Sequence, residues 1–389
     1  MRRYIMLALV FFCCVIPCFA SERTELYTLS TGDPVYRQDT SIVIAFKQPR
    51  AVISTSVLNG GYREDLTAVF NHDMSKAAMN AASYLDYLQQ VAGDLRLDSA
   101  RVSGMGTAAS MANVAIQAES YQTLTVTAIV TGGVEGNAGR VGDPAEYFLP
   151  GKKTRPPKPG TINIMLVIDA DMPPGTLARA LVTCTEAKTA ALQELMAGSK
   201  FSNGLATGSG TDQTIVIANT ASPLYLEDMG KHSKSGELIG RTVKQAVKEA
   251  LLRQTGLSPQ KQHSVLRRMN RFGLTEELLY QLYLQKDDKQ IDKQRFLECL
   301  RQVDHDPQLV TNTSLYVHLL DQLNWQLLSG DEVLQTANEL MASTAGKYNV
   351  LSPAIVRPEL ENCVQAWSGL VVNIVRMRLA GSQTEEVGK

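Results

Sequence analysis

One loop of the sequence combines a histidine with two lysines just before a helix. The segment G-K-H-S-K-S-G-E-L-I-G places His232 between Lys231 and Lys234, and the helix that follows begins near Gly236. A helix N-terminus attracts anions, and histidine is the side chain whose charge changes near neutral pH. The pattern therefore indicates proton transfer at His232, with a solvated loop as the plain alternative.

A second loop is rich in glycines and hydroxyl groups. Its sequence, A-T-G-S-G-T-D, supplies the hydroxyls of Thr207, Ser209 and Thr211 and ends at Asp212. Glycines let backbone amides point inward, so such a loop can present hydroxyls as nucleophiles or donors. An ordinary connecting turn is the alternative interpretation.

Lys188 lies on the apolar side of a predicted helix, four positions after the apolar Cys184. A lysine in that position must extend to solvent, pair with an acid or lose its charge. Glu186 and Glu194 are the nearby acids, although Glu186 points to a different face of the helix. A structural ion pair and a role in a reactive site both remain open.

The sequence lacks the spacings typical of metal and nucleotide sites. No CxxC, HExxH, GxSxG or P-loop occurs, and a G-x-G-x-x-A match at 104–109 lacks the strong strand and the later acid that a dinucleotide site needs. We therefore expect no metal and no cofactor. Three cysteines follow the leader, and Cys299 and Cys363 are the candidate pair for a disulfide; three unpaired core cysteines are the alternative.

Strand and helix signals alternate up to about residue 256, which predicts an α/β fold with a mixed β-sheet and packed helices. The predicted strands cover 41–47, 51–58, 124–130, 162–168 and 214–218, and the predicted helices cover 76–92, 175–196 and 236–253. From Leu257 onward Leu, Gln, Arg and Glu dominate, which predicts a smaller all-α region. Its clearest helices are predicted over 315–328 and 366–379.

The N-terminus has the pattern of a secretory signal peptide. Residues 1–20 combine two arginines, a short apolar run and small residues before the expected cleavage after Ala20, so we expect an exported, periplasmic protein. Residues 21–40 are polar and are expected to be irregular. The change in composition predicts a unit over 41–256 that is stable alone, followed by a helical extension over 257–389.

Charge and composition exclude several classes of protein. The chain has 38 Lys plus Arg against 39 Asp plus Glu, so no overall field recruits nucleic acid. Its 44% of apolar and 20% of charged residues exclude a disordered or collagen-like chain. The helical extension is a candidate docking surface for a protein partner, and the sequence indicates no particular oligomeric state.

Seven ordered segments within roughly residues 50–256 resemble the adenosylcobinamide amidohydrolase family. They are V-L-N-G-G at 57–61, V-F-N-H at 69–72, T-G-G-V-E-G-N-A-G-R-V-G-D at 131–143, G-T-I-N-I at 160–164, T-E-A-K-T-A-A-L-Q-E-L at 185–195, A-T-G-S-G-T-D at 206–212 and G-K-H-S-K-S-G-E-L-I-G at 230–240. The resemblance implies hydrolysis of the amide that joins the aminopropanol arm to the corrin ring of adenosylcobinamide. The product would be adenosylcobyric acid, in corrinoid salvage for cobalamin biosynthesis.

Amide hydrolysis needs an activated nucleophile, a polarised carbonyl and a proton for the leaving amine. The expected catalytic residues, with His232 managing protons and one of three hydroxyls supplying the nucleophile or orienting water, are Glu186, Lys188, Thr207, Ser209, Thr211 and His232. The expected substrate contacts, in which asparagines would face the corrin's carboxamides, are Asn59, Gly60, Gly61, His72, Asn137, Asp143, Asn163, Asp212 and Glu237. For His72 the alternative is a helix cap formed by its neighbours.

Two other functions fit the same residues. An exported member could bind a corrinoid without cleaving it, or could act as an amidase on another secondary amide. The number of polar groups in these loops favours catalysis, because binding alone does not need so many. In each case the corrinoid or amide is a small-molecule substrate or ligand rather than a cofactor.

Overall fold

The computed structural model describes residues 23–75, 83–145, 160–286 and 292–387. It contains a nine-stranded sheet with helices packed on it, followed by a region that contains only helices. The predicted fold class is confirmed. The predicted leader and the first part of the helix predicted over 76–92 lie outside the described residues. Within those residues, no helix is both long enough and apolar enough to cross a bilayer.

The strands, in chain order, are β1 (Arg23–Thr28), β2 (Pro34–Gln38), β3 (Ser41–Ser54), β4 (Gly61–Asp73), β5 (Val102–Thr107), β6 (Ala115–Tyr121), β7 (Leu124–Gly133), β8 (Ala138–Gly139), β9 (Thr161–Ile168), β10 (Gly208–Ser209) and β11 (Gln213–Ala218). The large sheet has the order β1-β2-β3-β11-β9-β7-β6, with β4 on β3 and β5 on β4. The pairs β11–β9 and β4–β5 are parallel, and the others are antiparallel. β8 and β10 form a separate ribbon.

Two predictions about the N-terminal strands are wrong. Residues 21–40 are not irregular, because β1 and β2 form an antiparallel hairpin at the edge of the sheet and Val35 is fully buried. The predicted break at Pro49 is also absent, since β3 runs through it. The pairing of β3 with β4 shifts register between Ala45 and Arg50 instead, and a bulge of this kind accommodates a proline that cannot donate to the ladder.

The helices are α1 (Tyr84–Asp94), α2 (Pro174–Glu194), α3 (Lys234–Thr255), α4 (Val265–Met269), α5 (Glu276–Lys286), α6 (Lys293–Asp304), α7 (Pro307–Asn324), α8 (Gly330–Lys347) and α9 (Leu360–Val387). The predicted helices over 175–196 and 236–253 are therefore confirmed. Ser233 caps α3 by accepting from the amide of Gly236, and Gly256 ends it in the left-handed conformation at φ 70°. Glycine suits that conformation because it has no Cβ.

The sheet separates two cores. Along β9, Ile164 and Leu166 face the core shared with α2 and α3, whereas Met165 and Val167 face the opposite side. Since alternate residues of a strand point to opposite faces, β9 must be apolar throughout, and all of it is buried. β4 and β5 cover the second core, and α1 packs Leu88 against their outer face.

The helical extension has its own core, in which the ring of Tyr316 stacks on that of Trp367 at 4.3 Å. The candidate disulfide is wrong: Cys184, Cys299 and Cys363 are unpaired. The thiol of Cys299 contacts the carbonyl of Val375, and Cys184 and Cys363 are buried. Burial raises the pKa of all three thiols, as expected of small core residues.

Candidate active site

Two loops that carry the quoted motifs meet at one end of the sheet. Loop A (residues 133–143) follows β7, and loop B (residues 197–212) leads into β11. β8 of loop A pairs with β10 of loop B, with Gly139 opposite Gly208. Because β7 is antiparallel to β9 and β9 is parallel to β11, both loops lie where β9 and β11 begin.

Asp212 is the centre of a compact polar cluster. Its Oδ1 accepts from the Ser209 hydroxyl at 2.6 Å and from the Ile162 amide at 2.8 Å. Its Oδ2 accepts from the Lys188 ammonium and from the Ser209 amide. The side chains of Lys188 and Asp212 are only 11% and 10% exposed. We call Lys188, Ser209 and Asp212 the Asp212 cluster.

The buried position predicted for Lys188 is confirmed, but its partner is neither of the acids expected from the sequence. Lys188 pairs with Asp212, whereas Glu186 pairs with Lys231 and Glu194 accepts from two lysines of α3. The approach of the pair to loop B requires Gly208. A Cβ there would lie 2.2 Å from the Asp212 carboxylate and 2.7 Å from the Lys188 nitrogen, so a side chain would force them apart.

The three candidate hydroxyls of loop B differ in their partners. Ser209 donates to Asp212, as described above. Thr211 is exposed and donates to the carbonyl of Gly160 at 3.0 Å. The hydroxyl of Thr207 accepts from the amide of Val141 and so ties loop B to loop A. Of these hydroxyls, that of Ser209 is held against a group that can take its proton.

A buried network joins three strands beside the cluster. Asn163 donates to Asn71 at 2.8 Å, and Asn71 donates to Thr131 at 2.7 Å, which links β9, β4 and β7. Thr161 donates to Asn163 and to the carbonyl of Thr211. Asn163 was expected to contact substrate, but it is 1% exposed and its amide is fully used, so it supports the start of β9.

Asn137 and Asp143 lie on loop A and shape it. Asn137 donates to the carbonyl of Gly160 at 2.5 Å, and within the described residues its buried Oδ1 has no partner. Asp143 accepts from the Ser199 hydroxyl at 2.6 Å, which links loop A to loop B. Burial alone would raise the pKa of Asp143, but hydrogen bonds from Ser199 and its neighbours outweigh burial and lower it.

Glu186 on α2 and Glu237 on α3 lie apart from the Asp212 cluster. Both are exposed, and both line a groove of about 620 Å³ whose wall also includes Lys231. His232 is exposed too and follows Lys231 in the loop before α3. Glu186 and Lys188 are two positions apart on α2, so their side chains point about 200° apart around the axis. Of the predicted catalytic residues, Lys188 and Ser209 therefore belong to the Asp212 cluster, and Thr207 and Thr211 to the loop beside it, whereas Glu186 and His232 lie apart from them.

Asn59 and Gly60 lie in the connection between β3 and β4, and Gly61 is the first residue of β4. Asn59 has φ 50° and donates to the carbonyl of Val102, at the start of β5. Asn163 contacts β5 at Gly106, four residues after Val102. Asn59 and the buried network therefore meet β5 at points about 13 Å apart. A Cβ on Gly60 would lie 2.0 Å from a backbone oxygen, so this glycine is required by the turn itself.

His72 faces α1 rather than the network, because neighbouring residues of β4 point to opposite faces. Its Nδ1 lies 2.7 Å from the Ser41 hydroxyl and its Nε2 lies 3.0 Å from the Tyr87 hydroxyl. Of its neighbours, Asp73 accepts from the amide of Ser75 at 2.8 Å, and the start of the helix predicted there lies outside the described residues; α1 itself is capped by Ser83. Burial lowers the pKa of His72, and nearby acids such as Asp73 only partly oppose this.

The free energy of unfolding should decrease as the pH falls below the ordinary histidine value of 6.5. Because the pKa of His72 is lower in the folded chain, the unfolded chain takes up a proton first, and stability is lost down to the folded pKa. Urea unfolding at several pH values measures this. His72→Gln, which keeps a donor and an acceptor, should flatten the pH dependence, and an equal dependence in both proteins would contradict the prediction.

Several residues of the site were not predicted. Asn71 adjoins His72 in the quoted V-F-N-H segment, and the alternation of β4 was the signal that could have placed it inward. Tyr84 accepts from the amide of Gly106 at 2.9 Å and lies 3.4 Å from Gln213, but nothing in the sequence of its helix indicates these contacts.

In the described ranges, no group of three or more His, Cys, Asp or Glu side chains could hold a metal ion.

Comparison with known proteins identifies the family. A family model described as adenosylcobinamide amidohydrolase matches residues 26–259, which include the sheet, both loops and α3. The chain belongs to the adenosylcobinamide amidohydrolase family, and the family is one of hydrolases that act on an amide bond. The match starts within β1 and ends shortly after α3, so the helical extension lies outside it.

Individual proteins are also similar to this chain. An uncharacterized protein of Methanocaldococcus jannaschii is 34% identical over 234 residues, 57% of this chain and 89% of that protein. An adenosylcobinamide amidohydrolase of Methanosarcina mazei is 30% identical over 182 residues, 47% of this chain and 74% of that protein. A solved protein of Pyrococcus horikoshii gives a TM-score of 0.29 at 15% identity, covering 65% of this chain and 92% of that one.

Proposed function

We propose that the protein hydrolyses the amide between the aminopropanol arm and the corrin ring of adenosylcobinamide, releasing adenosylcobyric acid. The Asp212 cluster is the observation that carries this proposal. It places a serine hydroxyl against a carboxylate, with a lysine on the other oxygen, in loops that carry the family's motifs. Family membership supports amide hydrolysis, and the substrate of the named Methanosarcina mazei relative supports the corrinoid.

In this mechanism Ser209 attacks the amide carbon and its proton moves toward Asp212, which already accepts it in a hydrogen bond. The ammonium of Lys188 holds Asp212 in place through the other oxygen. Gly210 is exposed and follows Ser209 directly, so its amide is our candidate donor to the developing oxyanion. As the C–N bond breaks, the proton taken by Asp212 passes to the aminopropanol nitrogen, which leaves as the amine. Water then attacks the ester on Ser209, returns a proton to the serine oxygen through Asp212 and releases the acid. Attack by a water that Ser209 orients is the alternative route.

The test is incubation of the full chain with adenosylcobinamide, followed by mass analysis for adenosylcobyric acid. Appearance of the acid with the parent protein, and its loss with Asp212→Asn, is the expected result. An intact protein whose mass increases by an acyl group would favour attack by Ser209 over attack by water. Tight binding without any acid would favour the corrinoid-binding alternative, and cleavage of other secondary amides alone would favour a different amidase.

His232→Ala separates the two groups of candidate residues. The sequence-based expectation is a fall in turnover of about two orders of magnitude, typical of a lost general acid or base. The position of His232 beside the α2–α3 groove, on an exposed loop, instead favours a change of less than about threefold. Steady-state kinetics at matched folding measure this. A hundredfold fall would return His232 to the mechanism and move the reacting centre toward the groove.

We also propose that the protein is exported to the periplasm after removal of residues 1–20. The arginines, the apolar run and the small residues up to Ala20 support this proposal. Sequencing the N-terminus of protein isolated from its native cell should give Ser21 as the first residue. An intact Met1 on that protein would contradict export by this route.

A further inference from the structure

The helical extension contacts the two loops of the candidate site directly. Gln262 donates to the carbonyls of Leu195 and Met196, at 2.7 and 2.9 Å, just before loop B. Met196 has φ 49°, a conformation that side-chain-bearing residues seldom adopt. The extension therefore satisfies the carbonyls of an unusual backbone segment from which loop B begins.

Arg271 contacts loop B and is itself held by an acid of the extension. Its guanidinium forms two parallel hydrogen bonds with Asp321, each 2.6 Å long, and a third with the carbonyl of Asn203 in loop B. Arg271 is 8% exposed, and its stem packs against Gly198, where an added Cβ would lie 3.0 Å from it. Asp321 on α7 thus orients Arg271, and Arg271 holds loop B through the carbonyl of Asn203.

Loop A is held by a second set of charges. Glu135 accepts from Lys261 at 3.1 Å and from Arg267 at 3.3 Å, and both cations belong to the extension. Burial alone would raise the pKa of Glu135, but the hydrogen bond from Lys261 and the charge of Arg267 outweigh it and lower the pKa. The guanidinium of Arg140 in loop A also lies over the ring of Trp325, at 5.9 Å.

The loops need such support because the ribbon that joins them is very small. β8 and β10 contribute two residues each. Even a complete isolated hairpin is only marginally stable in water, so this ribbon cannot fix the geometry of Ser209 by itself. If loops A and B pack against the helical extension, their backbone can move less, and Ser209 keeps one position.

We propose that the helical extension is a positioning element for the site, in which Arg271 orders loop B and Glu135 ties loop A to the same unit. Arg271 is a positioning residue, since it acts on Ser209 only through loop B. The expected effect on turnover rests on the proposed function. The expected effect on the order of the loops does not.

The test uses Arg271→Lys in the full chain, which keeps the charge beside Asp321 but loses the planar fork. Amide hydrogen exchange should become about tenfold faster at Lys200 and Thr207, whose amides bond to loop A. Turnover should fall about tenfold or more, mainly in kcat, because a small displacement of a reacting group is costly. The matched control is Arg378→Lys, which alters the pair with Asp306 within the extension.

Loop exchange and kcat, compared at matched urea midpoints, decide the proposal. Faster exchange in the loops and a lower kcat, at a urea midpoint equal to that of the control, would support it. A lower midpoint with loop exchange and kcat like the parent would overturn it, because the extension would then only add stability. If Arg271→Lys does not fold, Glu135→Gln carries the same test at the half-exposed contact, and unchanged loop exchange there would overturn the proposal. A parent without activity on adenosylcobinamide leaves hydrogen exchange as the deciding measurement.

Discussion

Ser209→Ala is expected to lower kcat/KM for adenosylcobinamide by about three orders of magnitude or more, the scale seen when a nucleophile is removed. The hydroxyl lies 2.6 Å from the Asp212 carboxylate, and Ser209 is only partly buried, next to the exposed Gly210. Its removal takes away the attacking oxygen or, in the alternative route, the group that orients water. Steady-state kinetics on protein of matched urea midpoint measure the effect.

Thr211→Ala is the control for this prediction. It removes a hydroxyl two positions away that donates to the carbonyl of Gly160 rather than to the Asp212 carboxylate. We expect its kcat/KM to stay within about tenfold of the parent, as for a group outside the reacting centre. Equal losses in both variants would mean that loop B is merely disturbed by substitution. A Ser209→Ala enzyme with nearly full activity would remove Ser209 from the mechanism.

The elements that position the site were predictable where their pattern is regular. α2, α3 and β9 carry apolar residues at periods that identify a helix face or a strand buried on both sides. The hairpin of β1 and β2 was missed because β1 is mostly exposed and polar, so it has no apolar alternation to detect. Its pairing is set by β3, which lies further along the chain.

The candidate site was predictable only in part, for reasons of distance along the chain. Lys188 stands out because a charge on an apolar helix face needs an explanation. Its partner could not be chosen from the sequence, since Asp212 reaches it through the path of loop B while Glu186 and Glu194 are closer in sequence. The contacts of the helical extension with loops A and B gave no signal, because single arginines and glutamines are common on solvated helices.

The independence of residues 41–256 stays a prediction. β1 and β2 add strands before residue 41, and Val35 of β2 belongs to the core that also contains Met165 and Val167 of β9. On the other side, the buried pair of Arg271 and Asp321 belongs to the extension but touches loop B. Removing the extension would leave the carbonyl of Asn203 and the carboxylate of Glu135 without these partners. In a chain without the extension, we therefore expect the largest structural changes in loops A and B.

Lys188→Met is expected to reduce the free energy of unfolding by about 3–5 kcal/mol, the cost of leaving one member of a buried ion pair uncompensated. The side chain of Asp212 is 10% exposed, so its carboxylate cannot exchange Lys188 for bulk water. The amides of Ile162 and Ser209 would still bond to it, but they carry no net charge. Urea unfolding of the full chain measures the loss.

The double variant Lys188→Met/Asp212→Asn separates the structural part of this pair from its chemical part. Replacing the carboxylate by a neutral amide of the same shape removes the uncompensated charge, so most of the stability lost in Lys188→Met should return. Activity should not return, because the Ser209 hydroxyl then faces an amide that cannot take its proton. Recovery of turnover together with stability would show that the pair only holds loop B in place. A loss below about 1 kcal/mol in Lys188→Met would place the pair with exposed ion pairs, and Asp212 would then be open enough to water to bind substrate itself.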